Sequence, residues 1–315
     1  MPRRKVIPEP EPEKRRSDFG SYKITPKDWK GLPLVAQQRY CRYDTLGEWW
    51  APKYEPAIVE PRPEKQKQAG PGPGRGGKRT GLPWPMDYQK RLAAVTRIVD
   101  RHWIPMGLAM SMQPFQGTPR WVTLTEQGLH LLGLSLGETP FPDNLKFYEH
   151  SDERRCHTHC INQVRIYLAR GGAGLPKSSW TSERALEARF SLLPAEQALP
   201  HLPDGMITIE EEGSWDIRDI DDQILTSVPL LPGNRIAIEV ELNRKSYPRL
   251  REEIFPSLLR SYDYVWYFCE PEARRAVYEA RQRHLSTDKE RARLRIMLLD
   301  EHLPHLRSQG KTPSA

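Results

Sequence analysis

The chain has 315 residues, 37% of them hydrophobic, with 30 prolines and a net charge of +7. No run of about 18 apolar residues occurs, which argues against a transmembrane helix, and Met1-Pro-Arg-Arg-Lys lacks the apolar segment of a secretion signal. Four cysteines without disulfide-dense spacing fit a reducing, cytoplasmic setting and exclude a disulfide scaffold.

The positive charge is concentrated. Residues 1–83 hold 18 lysines and arginines against 10 acids, whereas 84–315 hold 30 against 31. Such an arm either seeks phosphate or is simply a solvated tail. Residues 1–30 alternate Pro, Glu, Lys and Arg, a composition that cannot bury a core. An apolar and aromatic patch follows at 31–50, including Leu34, Val35, Tyr40, Trp49 and Trp50. It suits a short helix docking on the body or on a partner. Residues 52–85 read as a Pro/Gly/Lys-rich linker, in which Arg75, Lys78 and Arg79 are candidate DNA contacts. No strand precedes that glycine-rich run and no helix immediately follows it, so it is not a P-loop.

Tyr88, Leu92, Val95 and Val99 fall at helical spacing and predict an amphipathic helix over 87–102. Trp121-Val-Thr-Leu reads as a short strand, and Thr125 as the N-cap of a helix beginning at Glu126. The string from Arg120 to Gly133 resembles the wing strand and closing helix of winged-helix domains, so 84–150 is expected to be one. Its six basic and six acidic residues leave no strong electrostatic footprint. Arg120, with Lys90, Arg91, Arg97 and Arg101, can still form a local DNA-phosphate face. Otherwise the domain is a protein-contacting adaptor.

A second domain is expected over 151–285. It should open with a helix at 155–169 carrying Ile161, Val164 and Leu168 on one face, then another short helix or a strand-to-helix entry at Trp180. Met206-Ile-Thr-Ile and Ile236–Leu242 are strands, with an acidic turn at Asp219–Asp222 between them. Ser246 starts a helix to about Arg260, bent at Pro256, and Asp263–Cys269 is a buried strand. Glu272–His284 forms a further helix, and this alternation is α/β patterning. Residues 286–315 are charged, helical at first and then frayed.

The chemistry sits in two short segments, His201-Leu-Pro-Asp-Gly205 and Ile236–Lys245. By the two-residue period of a strand, Ile236, Ile238, Val240 and Leu242 share one face, and Ala237, Glu239 and Glu241 share the other. In a central strand, two desolvated carboxylates need a cation or must lose charge. Asp204 adds a third acid at the mouth of the preceding strand, and Glu183 can complete the cluster. Mg²⁺ prefers such oxygens, can hold a phosphate oxygen, and makes a bound water more acidic for in-line attack. Lys245 can orient that water or offset the growing negative charge. An edge strand with solvated glutamates and an ordinary Pro-Asp-Gly turn would give the same letters.

The pattern is close to that by which restriction-endonuclease-like folds build a Mg²⁺ site on two neighbouring strands. More broadly, the order His157…Asn162, Trp180-x-x-Glu183, Pro203-Asp-Gly, Glu239-Val-Glu-Leu-x-x-Lys245 and Tyr264-Val-Trp-Tyr-Phe resembles the replication-relaxation family of bacterial plasmids and integrative elements, over residues 87–285. The resemblance implies a winged-helix half, then a PD-(D/E)xK-type half. It implies a role in DNA replication or relaxation, with relaxase or other relaxosome proteins as partners; the lack of a long apolar run adds the expectation of no membrane. On that pattern Asp204, Glu239 and Glu241 hold Mg²⁺, Lys245 and Glu183 are catalytic, and His157, Asn162 and Trp180 support them. One departure stands out. The nuclease pattern places lysine two residues after the strand glutamate, where this chain has Glu241. Lys245 is either a migrated substitute, or the site binds metal or DNA without cutting.

Cys156-His-Thr-His-Cys160 has zinc-like residue types, but zinc wants a fourth ligand and a looser loop; packed cysteines at a helix start are the simpler assignment. No local signature around any cysteine supports a Cys/His protease. The expectation is therefore an α/β (α+β overall) chain with disordered tails. It acts on DNA as a Mg²⁺-dependent endonuclease, as a non-catalytic scaffold, or as a winged-helix transcriptional regulator.

Overall fold

The computed structural model describes residues 23–50, 86–136 except 115 and 117, 151–190, 201–218 and 224–302. Arg75, Lys78, Arg79 and the whole Asp219–Asp222 turn lie outside these residues. Thr25 opens helix α1 (Pro26–Gln38) with a capping box, its hydroxyl receiving the Asp28 N–H while the Asp28 carboxylate receives the Thr25 N–H. Asp28 also accepts the Trp103 indole N–H at 2.6 Å, tying this cap to a distant part of the chain.

The first unit continues through β1 (Tyr40–Arg42), α2 (Tyr43–Trp50), α3 (Met86–Ile98), β2 (Ala109–Met112), β3 (Trp121–Leu124) and α4 (Glu126–Leu136). β3 lies between β1 and β2 and is antiparallel to both. Leu32, Val35 and Leu46 share one buried core with Val99, Trp103 and Leu124. This corrects the expected boundaries: residues 26–50 belong to the body of the first unit and not to a disordered arm over 1–83. Their apolar face is buried against α3, which follows only after residue 85. As expected, Val95 and Val99 face the core, and Thr125 caps α4 by accepting the Gly128 N–H at 3.1 Å.

α3 runs into a wide turn, Val99–Trp103, where the Ile104 N–H reaches back to the Val99 carbonyl at 2.9 Å just before Pro105. The same device recurs between α7 (Tyr247–Arg249) and α8 (Phe255–Ser261), where the wide turn Leu250–Ile254 precedes Pro256. Proline has no N–H to give and its ring crowds the carbonyl four residues back. Loosening the turn to a five-residue step relieves that crowding.

The second unit comprises α5 (Asp152–Ala169), β4 (Ser178–Ser182), α6 (Glu183–Phe190), β5 (Gly205–Ile209), a hairpin of β6 (Gly213–Arg218) and β7 (Ile224–Leu230), β8 (Arg235–Glu241), α7 and α8, β9 (Tyr264–Cys269), α9 (Pro271–His284), α10 (Asp288–Ala292), β10 (Leu294–Leu298) and α11 (Leu299–His302). One five-stranded sheet has the order β10-β9-β8-β5-β4. β4, β5 and β8 form an antiparallel meander, whereas β8, β9 and β10 are parallel. β10 corrects the expected charged helix and tail after 285: the sheet's outer parallel strand lies there. The β6–β7 hairpin had no sequence expectation.

The sheet is covered on both faces. Ile161, Val164 and Leu168 of α5 pack on Ile236, Ile238 and Trp266. Leu258 of α8 and Val277 of α9 pack on the opposite face, with Ala237, Val265 and Tyr267. The strand period thus holds as expected. β8 is the third strand of five, so the edge-strand alternative is overturned: Glu239 is 2% exposed and Glu241 6%.

The other side of α5 meets the first unit. Asn162 donates to the Tyr40 carbonyl at 3.1 Å, Gln163 to the Thr45 hydroxyl at 2.9 Å, and Arg165 to the Gln37 side-chain oxygen at 2.7 Å. The chain is a mixed α/β protein, and no described helix is long and apolar enough to cross a membrane.

Candidate functional site

Two strand ends make the site. Because Gly205 of β5 stands opposite Ile238 of β8, Asp204 is carried to the C-terminal end of the central strand. There its Oδ2 accepts the Val240 N–H at 2.7 Å. This approach needs a glycine next door, since a Cβ on Gly205 would lie 2.2 Å from the Trp180 ring.

Glu239 and Glu241 project from the same face of β8. Lys245, on the segment after the strand, folds back over both. Its Nζ lies 2.6 Å from Glu241 Oε2 and 3.7 Å from Glu239 Oε2. His201 places Nε2 3.0 Å from the other Glu239 oxygen. From α5, His157 points its Nε2–H at the Val240 carbonyl (2.8 Å) with Asp204 Oδ2 at 3.4 Å. Glu183, the first residue of α6, donates its backbone N–H to the Asp204 carbonyl at 3.3 Å.

These groups line two adjoining cavities of about 420 and 520 Å³, with His157, Glu183, Asp204 and Glu241 common to both. Glu239, Lys245 and His201 close the larger one, and Gln37, Gln38 and Arg39 of the first unit wall the smaller.

Electrostatically the cluster is over-supplied with acid. Burial pushes against the Asp204 charge, but the His157 charge and hydrogen bond and the Val240 N–H prevail and hold its carboxyl below the ordinary value. His157 answers in kind: burial opposes its charge, yet Asp204 lifts it to about 9. Glu183 is raised to about 7 by burial, then by Asp204 and Glu187. Glu241 is raised by burial despite the Lys245 ammonium. Four carboxyl groups thus face two firm cations, Lys245 and His157. All-oxygen donors with surplus negative charge fit a hard cation such as Mg²⁺. Among the described residues no three potential ligands converge on a single point, because the Lys245 ammonium sits where Glu239 and Glu241 aim.

The structure therefore brings together His157, Glu183, Asp204, Glu239, Glu241 and Lys245. It does not bring Asn162 there, since that side chain is spent on Tyr40, and it makes Trp180 a packing wedge over Gly205. His157 and His159 of the Cys-His-Thr-His-Cys segment diverge, His159 lying 3.3 Å from the Thr45 hydroxyl. On the first unit, Lys90, Arg97 and Arg101 are exposed along α3 and its wide turn, and Arg91 is half-buried. Arg120 is committed within the fold, paired with Asp100 and stacked over the Tyr43 ring at 5.0 Å. His201, Arg39, Glu187 and Arg154 were not singled out from sequence. Only His201, three residues before Asp204, offered a local signal. No known protein family, curated protein or solved structure matches the chain.

Proposed function

We propose that this chain is a DNA-binding protein whose second unit, a restriction-endonuclease-like domain, holds Mg²⁺ and acts on a DNA phosphodiester. The sequence resemblance to the replication-relaxation family is what suggests mobile-element replication or DNA relaxation as its setting, with relaxosome proteins as partners. One observation carries the proposal: Asp204 from the start of β5 meets Glu239, Glu241 and Lys245 from the end of the central β8 at one cavity. The connection α5-β4-β5-β8-α8-β9, with acids on adjacent strands, supports it. For the first unit, the order α1-β1-α2-α3-β2-β3 with β3 central supports a winged helix. In that arrangement α3 enters the groove. Lys90, Arg97 and Arg101, spaced seven and four residues apart, form one exposed stripe suited to phosphate.

Asp204 and Glu241 are the residues that would hold Mg²⁺, with Glu239 and Glu183 in the same acidic wall. The cation would polarise a phosphate oxygen and make a bound water more acidic. Lys245, released from one carboxylate, then offsets the charge growing on the phosphate, while His157 keeps Asp204 and the Val240 carbonyl in register.

A second function has its own support. Lys245 and His157 already neutralise much of the acid, as they would in a site that engages DNA without cutting it. Plasmid nicking in Mg²⁺ or Mn²⁺, run on wild type and Asp204→Asn, separates the two; asparagine keeps an oxygen for the Val240 N–H. The nuclease proposal expects metal-dependent nicking that the variant loses while still binding duplex. Duplex binding without nicking by wild type establishes the non-cutting function instead. Absence of DNA binding sinks both.

A further inference from the structure

The first unit reaches the acidic site through one residue. Arg39 follows α1 with φ 67° and ψ −46°, a positive φ that residues with a Cβ seldom adopt and that lies outside the left-handed helical region. Among the described residues only Ala173 shares this positive φ without being glycine. Such a conformation persists where the surroundings over-determine it. The Arg39 side chain runs along the wall of the 420 Å³ cavity and pairs with Glu187 of α6. Glu187 lies one helical turn beyond Glu183 and lines the adjoining cavity. Its side chain is 40% exposed and that of Arg39 12%, so the pair sits at the lip of the cavity. Arg154, exposed on α5, lines the same opening. The backbone there is pinned by the Arg39 N–H to the Ala36 carbonyl and by the Thr123 hydroxyl donating to the Arg39 carbonyl at 2.7 Å, so the side chain is held at this point whatever the ion pair contributes, which for a partly exposed pair is little.

We propose that Arg39 is a phosphate-binding residue: its guanidinium leaves Glu187 and takes a backbone phosphate of the DNA strand entering the cavity, with Arg154 on the neighbouring phosphate. The inference rests on the DNA function proposed above and extends it, because the site is then completed by both units. The chemistry demands such a group. An acidic floor repels an incoming phosphate, and a planar fork of N–H donors on the wall both offsets that repulsion and fixes which phosphate arrives. Glu187 keeps the guanidinium aimed until phosphate displaces it.

The test uses the full chain and a fluorescently labelled duplex, with Ca²⁺ present as an oxygen-binding cation. Arg39→Gly is the first variant, because glycine suits the positive φ and preserves folding; Arg39→Gln is the second. Both should weaken binding about tenfold. Both should also lower the slope of log affinity against log salt by about 0.9, one phosphate contact. Mg²⁺ affinity by calorimetry should not change. Arg39→Lys should recover the slope, and Glu187→Gln should tighten binding by removing the competitor. Wild-type affinity and slope in both Arg39 variants overturn this inference and leave the DNA function standing. Loss of the thermal transition in Arg39→Gly makes the Glu187 pair a structural clasp and overturns it too. A wild-type chain that binds no duplex overturns both proposals together.

Discussion

Deleting the Lys245 ammonium tests whether one side chain holds the buried acids of β8 in check. Lys245→Ala leaves Glu239 and Glu241, 2% and 6% exposed, facing each other without the charge now 3.7 and 2.6 Å away. Breaking a buried pair from one side costs about 3–5 kcal/mol, because the remaining charge stays desolvated. His201 still contacts Glu239, and the Lys245 side chain is 18% exposed, which places the loss near the lower end, about 3 kcal/mol. For a domain of this size that is a fall of about 6–12 °C in Tm. The loss should depend on pH. Burial already raises the Glu241 carboxyl and Lys245 opposes the rise, so without the ammonium it climbs further. The native state then binds more protons than the unfolded chain, and stability falls as pH rises. The deficit is therefore largest at pH 8 and shrinks toward pH 5. Mg²⁺ should repair part of it: a cation at roughly 100 times its Kd returns about 2.7 kcal/mol. Urea unfolding at both pH values, with and without Mg²⁺, measures all three effects. A deficit under about 1 kcal/mol at pH 8, or one that ignores pH, shows that the glutamates do not depend on Lys245. No Mg²⁺ response in either wild type or variant refutes the cation-holding role.

Glu183 gives a second pH test. Its carboxyl is raised from 4.5 to about 7, so its stabilising contribution is complete below pH 4.5 and is lost as pH rises through 7. Glu183→Gln should flatten that stretch of the stability curve and leave the variant up to about 3 kcal/mol more stable at pH 8; an unchanged curve by urea titration rules this out. On the first unit, replacing Lys90, Arg97 and Arg101 together by alanine should lower the salt slope of duplex binding by about 2.7. Anisotropy titrations showing the wild-type slope would remove α3 from the DNA interface.

What sequence could and could not show follows the range of the interactions. β8 was readable because its period of two needs no knowledge of neighbours, and its glutamates fell on the expected face. The reach of Lys245 was not readable: four residues past Glu241, its position depends on how the chain folds back after the strand. β10 was missed because Leu294-Arg-Ile-Met-Leu298 mixes charge with good helix formers. Pairing with β9 decides its state, a case of tertiary context overriding propensity. The 26–50 segment read as an appendage because its core partners Val95, Val99 and Trp103 stand far along the chain. Arg39 was invisible for the same reason, being 148 residues from Glu187.

These long-range contacts decide whether the two units can work apart. Across α5 and α6, Asn162 and Gln163 each make a neutral hydrogen bond to the first unit, and Arg165 and Arg184 each donate a charged one, Arg184 to the Ala36 carbonyl at 3.0 Å. At about 1 kcal/mol for each neutral bond and about 2 for each charged one, separation forfeits roughly 6 kcal/mol. Arg165 also stacks over Trp49 of the first unit and Trp180 of the second, at 5.3 and 5.7 Å, so parting the units uncovers apolar ring surface as well. That loss is comparable to the whole stability of an ordinary domain, about 5–15 kcal/mol. The helix bearing His157 is thus held by the first unit as well as by the sheet it covers. The geometry at Asp204 and Val240 therefore depends on residues 26–50, which lie outside the unit that carries both residues.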